Sequence, residues 1–134
     1  MASANLDLVR SICANWERGD FSSTTWAHPG IEYTVVGGPA PGSWRGLADM
    51  TEATRDLMSA WKDFRIEVEE YRELDDKRIL AVWDFKGRGK ASGVEAPLMQ
   101  ATGAYLFEIG GGRVTSLAYY VNRKLALADL GLTE

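Results

Sequence analysis

The sequence predicts an α+β fold: helices first with one embedded strand, then a meander of four antiparallel strands and a short last helix. Helical apolar spacing is confined to residues 6–16 and 47–61, with one strand-forming run, 31–36, between them. The second half of the chain is a succession of strand-like runs separated by tight turns. Strands and helices do not alternate, which argues against a doubly wound parallel sheet. At 134 residues the chain has enough length for one core and little for a second, so a single domain over 1–134 is expected.

Leu6, Val9, Ile12, Cys13 and Trp16 recur at helical spacing behind a cap at Ser3 or Asn5, and Gly19 follows where a helix ends. Pro29-Gly30 punctuates the chain before the strand Ile31–Val36, and Gly37 to Gly42, with two prolines, reads as a loop. Leu47, Met50, Thr54, Leu57, Met58 and Trp61 then mark a second helix. Phe64, Ile66 and Val68 alternate with Arg65, Glu67 and Glu69, the period of a strand with one dry face. Asp75-Asp76-Lys77 supplies a turn into the apolar run Ile79–Phe85; strands near 98–109 and 114–121 flank the turn Gly110-Gly111-Gly112. Asn122 caps a last short helix that stops at Gly131.

Composition excludes several classes of function. Fifteen Lys and Arg against nineteen Asp and Glu give a net charge of -4, a field that repels nucleic acid. One cysteine, Cys13, cannot form an internal disulfide, and neither a second cysteine nor a second histidine is present to build a metal site with Cys13 or His28. No cofactor motif is present: neither Gly87-x-Gly89 nor Gly110-Gly111-Gly112 opens a helix after a strand, as a phosphate loop requires. The N-terminus has no signal-peptide pattern and no apolar run could span a bilayer, so a soluble, cytoplasmic protein without membrane contact is expected. Five tryptophans exceed the ~1–2 of ordinary usage.

Trp16-Glu17-Arg18-Gly19-Asp20-Phe21, His28-Pro29-Gly30-Ile31-Glu32, the segment Gly87–Glu95, Gly112-Arg113-Val114 with Tyr120–Arg123, and Ala126–Leu132 occur in the order seen in one family. With these motifs the chain resembles the SnoaL-like branch of the nuclear transport factor 2-like superfamily over nearly its whole length. The resemblance implies a cone, a curved antiparallel sheet wrapped around the N-terminal helices with a deep apolar pocket, as well as a small hydrophobic ligand and a homodimer through the outer sheet face. It also admits isomerases, epoxide hydrolases, polyketide cyclases, dehydratases and members without chemistry, so fold alone does not choose an activity.

Two activities fail on their residues. Set against the ketosteroid isomerases, the base falls near Thr34, the helix tyrosine near Ile12 and the second acid near Gly103 or Ala104, none of which can do that work. Set against the epoxide hydrolases, the tyrosine matches Tyr33, but the asparagine falls near Val35 and the last-strand aspartate near Tyr119. The two comparisons assign opposite facings to Tyr33 and Thr34, so they leave the register of the first strand open.

Asp84 remains, alone in an apolar strand. Facing the pocket it would be a desolvated general acid or base; facing outward it would pair with Lys86, Arg88 or a neighbouring strand's cation. Tyr119 and Tyr120 point to opposite sides, and Tyr119 is preferred as the pocket donor. The catalytic candidates are therefore Asp84, Tyr119 and Tyr33, and the ligand-binding candidates Trp16, Trp44, Met58, Trp61, Trp83 and Tyr105. Trp16, Trp61 and Trp83 are expected around one cavity. His28 before Pro29 reads as structural, Cys13 as a buried inert thiol, and Glu32 and Glu95 as lesser acid/base candidates. The function expected is cofactor-free acid/base chemistry on a hydrophobic oxygenated metabolite. The alternatives are a binding module for an aromatic ligand and a dimerising protein whose cone is filled by its own side chains.

Overall fold

The structure is a computed structural model describing residues 4–18, 24–37, 42–59, 61–89 and 98–132. Side chains are described within these segments except at 56–59, 61–65, 85–89 and 98–101. The elements in chain order are α1 (Ala4–Glu17), β1 (Ala27–Val36), β2 (Gly42–Arg45), α2 (Leu47–Ser59), β3 (Trp61–Glu73), β4 (Arg78–Gly89), β5 (Leu98–Gly110), β6 (Arg113–Tyr120) and α3 (Arg123–Leu130).

The strands form one sheet in the order β2-β1-β6-β5-β4-β3. The expected meander β3 to β6 is present, each strand antiparallel to the next. The sheet as a whole is mixed rather than antiparallel, because β1 pairs with β6 in parallel, Tyr33 beside Leu117 and Val35 beside Tyr119. The connection through α2 carries the chain from the β2 edge to the β3 edge. Three reversals later β6 arrives beside β1 running in its direction.

Three local expectations need correction. Gly42–Arg45 is a strand hydrogen-bonded to β1, with Trp44 opposite Tyr33, rather than the end of a loop. Strand β1 begins at Ala27, before Pro29-Gly30. Ala27 pairs with Val114 and Glu32 with Ser116, so His28-Pro29-Gly30 bulge out of an otherwise continuous strand. His28 stabilises that bulge: its Nδ1 accepts the Gly30 N–H at 2.9 Å. Trp61 does not end the second helix; α2 stops at Ser59 and Trp61 opens β3 opposite Gly89.

The sheet is covered on both faces. On one, the stripe Leu6, Val9, Ile12, Cys13 and Trp16 of α1, with Met50 of α2, packs on Ile31, Tyr33, Val35, Ile79, Ala81, Trp83, Phe107 and Leu117. On the other, α3 lays Ala126 and Leu125 over Leu80, Val82, Ala104 and Tyr120. A strand buried on both faces has no reason to alternate, so β4 reads as a continuous apolar run. Helix α3 has the expected ends: Asn122 Oδ1 accepts the Leu125 N–H at 2.9 Å, and Gly131 closes the helix at φ 67°. The Tyr120 hydroxyl, 2.6 Å from Asp129 Oδ2, holds the helix down.

Candidate functional site

Strand alternation gathers aromatic side chains on the α1 face. Trp83 of β4, Tyr105 of β5 and Tyr119 of β6 form three mutual near-parallel contacts: Trp83–Tyr105 at 5.6 Å, Trp83–Tyr119 at 5.7 Å and Tyr105–Tyr119 at 5.1 Å between ring centroids. Tyr105 and Tyr119 are direct cross-strand partners, the geometry in which ring pairs stabilise a sheet. Trp16 closes over them from α1, 4.9 Å from Tyr105 and 5.9 Å from Phe107. Tyr33 lies on the same face, with Trp44 beside it at 5.8 Å.

Gly103, opposite Trp83 on β5, makes the arrangement possible. A Cβ there would sit 3.1 Å from Trp83 Cζ2 and 3.2 Å from the Tyr120 carbonyl oxygen. A lone glycine inside a strand run often marks such a close approach, which is the signal by which the sequence could have named it.

The polar atoms on this face are hydroxyls. Tyr33 is 1% exposed, and its hydroxyl lies buried beside those of Thr54 and Tyr105. Burial raises its pKa, an effect that the nearby Tyr119 reinforces and the hydroxyls of Thr54 and Tyr105 partly offset. Burial likewise holds Tyr105 well above the usual tyrosine range and pushes Tyr119 up to about 12. All three therefore stay neutral and able to donate at physiological pH. Thr54 was not singled out as a site residue; its i+4 spacing from the buried Met50 turns it toward Tyr33. No charged side chain is buried among the described residues.

Asp84 is not part of this group. It follows Trp83 on an unbulged stretch of β4, so it points to the opposite face, the one α3 packs on. There it pairs in register with Glu67 and Thr102, the Thr102 hydroxyl donating to Asp84 Oδ1 at 3.5 Å. A hydrogen bond to Asp84 raises the pKa of Glu69. The expectation of a carboxylate sharing a pocket with Tyr33 and Tyr119 is thus corrected, because one residue of strand phase separates Asp84 from them.

The other candidates fall as follows. Tyr33 faces the aromatic group, while Thr34 faces away, its hydroxyl 3.3 Å from Ser43, which resolves the register of β1. Tyr119 is on the aromatic face and Tyr120 on the other. The side chains of Met58 and Trp61 lie outside the described residues, as does Glu95. Glu32 is exposed and paired with Arg45. His28 is exposed at the bulge. Cys13 is buried against Tyr71, and desolvation pushes its thiol up to about 12, which keeps it inert. Among the described residues no group of metal-ligating side chains converges, and no helix is long and apolar enough to cross a membrane. A depression of about 520 Å³ along Leu47, Ala48, Thr51, Glu52 and Arg55 is on the outer side of α2, away from the rings.

The aromatic face on a mixed, helix-covered sheet can be set against known proteins. The family model for a SnoaL-like domain matches residues 9–117. The chain belongs to the SnoaL-like family. No curated protein sequence matches it. Among solved structures, an NTF2-like protein of unknown function from Burkholderia pseudomallei K96243 superposes with a TM-score of 0.77 at 15% identity, covering 95% of this chain and 97% of the other. A protein assigned as a SnoaL-like polyketide cyclase from Jannaschia sp. CCS1 gives 0.73 at 14%, covering 93% and 89%. TerC, co-crystallised with polyporic acid, gives 0.74 at 15%, covering 96% and 98%. At these identities the likeness is one of fold. The α+β architecture of this SnoaL-like domain is the architecture of its structural relatives.

Proposed function

We propose that this SnoaL-like domain binds a small, flat, largely apolar and oxygenated metabolite on the α1 face of the sheet. Ring stacking supplies affinity there, and tyrosine hydroxyls orient the ligand's oxygen. One observation carries the proposal: Trp83, Tyr105 and Tyr119 stack within 6 Å of one another, with the buried Tyr33 hydroxyl on the same face. Aromatic walls with a few convergent donors are the usual make-up of a small-molecule site. TerC's complex with polyporic acid and the cyclase assignment of the Jannaschia protein support a ligand of this kind.

Turnover at this site would rest on neutral O–H donors rather than on Asp84. A tyrosine that stays protonated can polarise a carbonyl and hold the negative charge that develops on its oxygen, the contribution asked of a donor in cyclisation, isomerisation or dehydration. The second reading, binding without chemistry, is favoured by the same displacement of Asp84, which leaves the rings without a carboxylate base among the described residues. A homodimer through the sheet, expected from the resemblance, would have to use outer face that α3 leaves open, because α3 covers Leu80, Val82 and Ala104.

The test is a thermal-shift screen with tryptophan fluorescence readout, run with polyporic acid and a panel of aromatic ketones. Saturable quenching accompanied by a rise in Tm supports the site. Failure of every compound to alter either signal contradicts it. Conversion of a bound compound, followed by chromatography, separates enzyme from binder.

A further inference from the structure

We infer that Glu17 is a positioning residue of the aromatic site: its carboxylate, held at the β3 backbone, fixes the end of α1 and with it the seat of Trp16 against Tyr105. The inference rests on the proposed site and adds to it what holds its helical wall in place. A closed circuit of contacts runs around this face. Trp16 of α1 meets Tyr105 of β5 at 4.9 Å, and Tyr105 stacks on Trp83 of β4 at 5.6 Å between ring centroids. Trp83 pairs in register with Val68 of β3. The Val68 N–H then donates at 3.1 Å to Glu17 Oε2, one residue along α1 from Trp16. Ring contact and strand pairing make most of this circuit, and the Glu17 carboxylate closes it.

Glu17 is the last residue of α1, where a carboxylate faces the negative end of the helix dipole. Its bond to the Val68 N–H offsets that unfavourable address, because an ionised acceptor makes a stronger hydrogen bond than a neutral one. Val68 adjoins the bulge of β3, where the register with β4 shifts between Val68 and Glu70, and β3 is the edge strand of the sheet. Bulges and edges are where a sheet leaves backbone N–H groups for partners other than a strand. Two further contacts hold α1 to β3 and the turn after it: Asn5 Nδ2 donates to the Asp76 carbonyl at 2.8 Å, and the Arg10 guanidinium sits 5.0 Å over the Tyr71 ring. Both act on earlier turns of the helix; Glu17 acts on the turn that carries Trp16. Without it the last turn frays more readily, fewer molecules hold Trp16 in place, and apparent affinity falls with that fraction.

The experiment labels the full chain with 5-fluorotryptophan, assigns the Trp16 fluorine resonance with Trp16→Phe, and uses 2-acetylnaphthalene as the binding probe. Glu17 is exposed, so its variants are expected to keep the fold. Glu17→Ala is expected to shift and broaden the Trp16 resonance while leaving that of Trp44 in place, to speed exchange of the Val68 amide at least tenfold, and to weaken the probe at least fivefold. Glu17→Gln, whose amide oxygen still accepts the Val68 N–H, is expected to restore the Trp16 resonance and to keep Kd within twofold of the unmodified chain. A Trp16 resonance unmoved in Glu17→Ala overturns the inference, even if Tm falls, because a merely structural role would lower Tm alone. A probe affinity within twofold of the unmodified chain in Glu17→Ala overturns it too, as does a Glu17→Gln variant that behaves like Glu17→Ala. If the probe fails to bind the unmodified protein, the proposed ligand site is what fails, and the fluorine resonances still decide whether Glu17 seats Trp16.

Discussion

Trp83 lies flat across Gly103, its cross-strand partner, close enough that a Cβ on residue 103 would stand 3.1 Å from the indole. The backbone of β5 is therefore part of the wall that sets the indole's tilt, and the near-parallel contacts of Trp83 with Tyr105 and Tyr119 follow from it.

Gly103→Ala should destabilise the protein by about 1–3 kcal/mol, the usual cost of forcing a methyl into a packed core. The Tyr120 carbonyl at 3.2 Å limits escape on the other side. Urea unfolding followed by circular dichroism measures the loss; an unchanged midpoint would mean that the indole is free to move off the strand.

Tyr120→Phe removes the hydroxyl that reaches Asp129 and should cost about 1–2 kcal/mol, leaving an acceptor charge without its donor. The same chemical denaturation experiment reads it. Because Tyr120 faces α3 rather than the rings, ligand affinity should not change.

Ala126→Asp places a carboxylate against the apolar side chains of Leu80 and Val82 and against Ala104. The expected result is undocking of α3: amide exchange across 123–130 rises toward solvent rates. Light scattering should show at least a doubling of apparent mass relative to the unmodified chain as the uncovered apolar sheet self-associates. Unchanged exchange protection would show that α3 does not hold this face.

Stability should fall as pH rises above about 9. Tyr33, Tyr105, Tyr119 and Cys13 all have folded pKa values raised by burial above their unfolded values of about 10 and 9. A raised folded pKa means that the unfolded chain releases its proton first. The stabilisation is complete below the unfolded pKa and is lost as pH climbs toward the folded one. The urea midpoint at pH 10.5 should lie below that at pH 8. Equal midpoints would place these hydroxyls in water.

The sequence made some elements plain and hid others for physical reasons. The α1 stripe, the Asn122 cap and the Gly131 stop were legible because helical period and capping chemistry are local. The four-residue β2 was not, since Ser43 and Trp44 offer too few positions to display a period. Parallel pairing of β1 with β6 joins residues some eighty apart and leaves no local trace. Trp61 continued the helical spacing of α2 from Leu57 and Met58, yet the chain turns into β3 there. Of the candidate residues, Tyr33, Tyr105, Tyr119, Trp16, Trp44 and Trp83 share one side of the sheet, a grouping that residue type suggested and that the register of β1 completed. The facing of Asp84 stayed open in the sequence because β4 is buried on both faces. Its apolar run carries no alternation from which to read the phase.

Adjacent residues on β4 point to opposite sides of the sheet, which makes them the sharpest probe of where a ligand sits. Calorimetric titration of the best screened ligand into the unmodified protein, Trp83→Phe and Asp84→Asn, each checked for fold by circular dichroism, separates the two faces. Binding on the aromatic face predicts at least a tenfold weaker Kd for Trp83→Phe and a change below twofold for Asp84→Asn. Loss of affinity in Asp84→Asn with Trp83→Phe unaffected would put the ligand on the α3 side and contradict it.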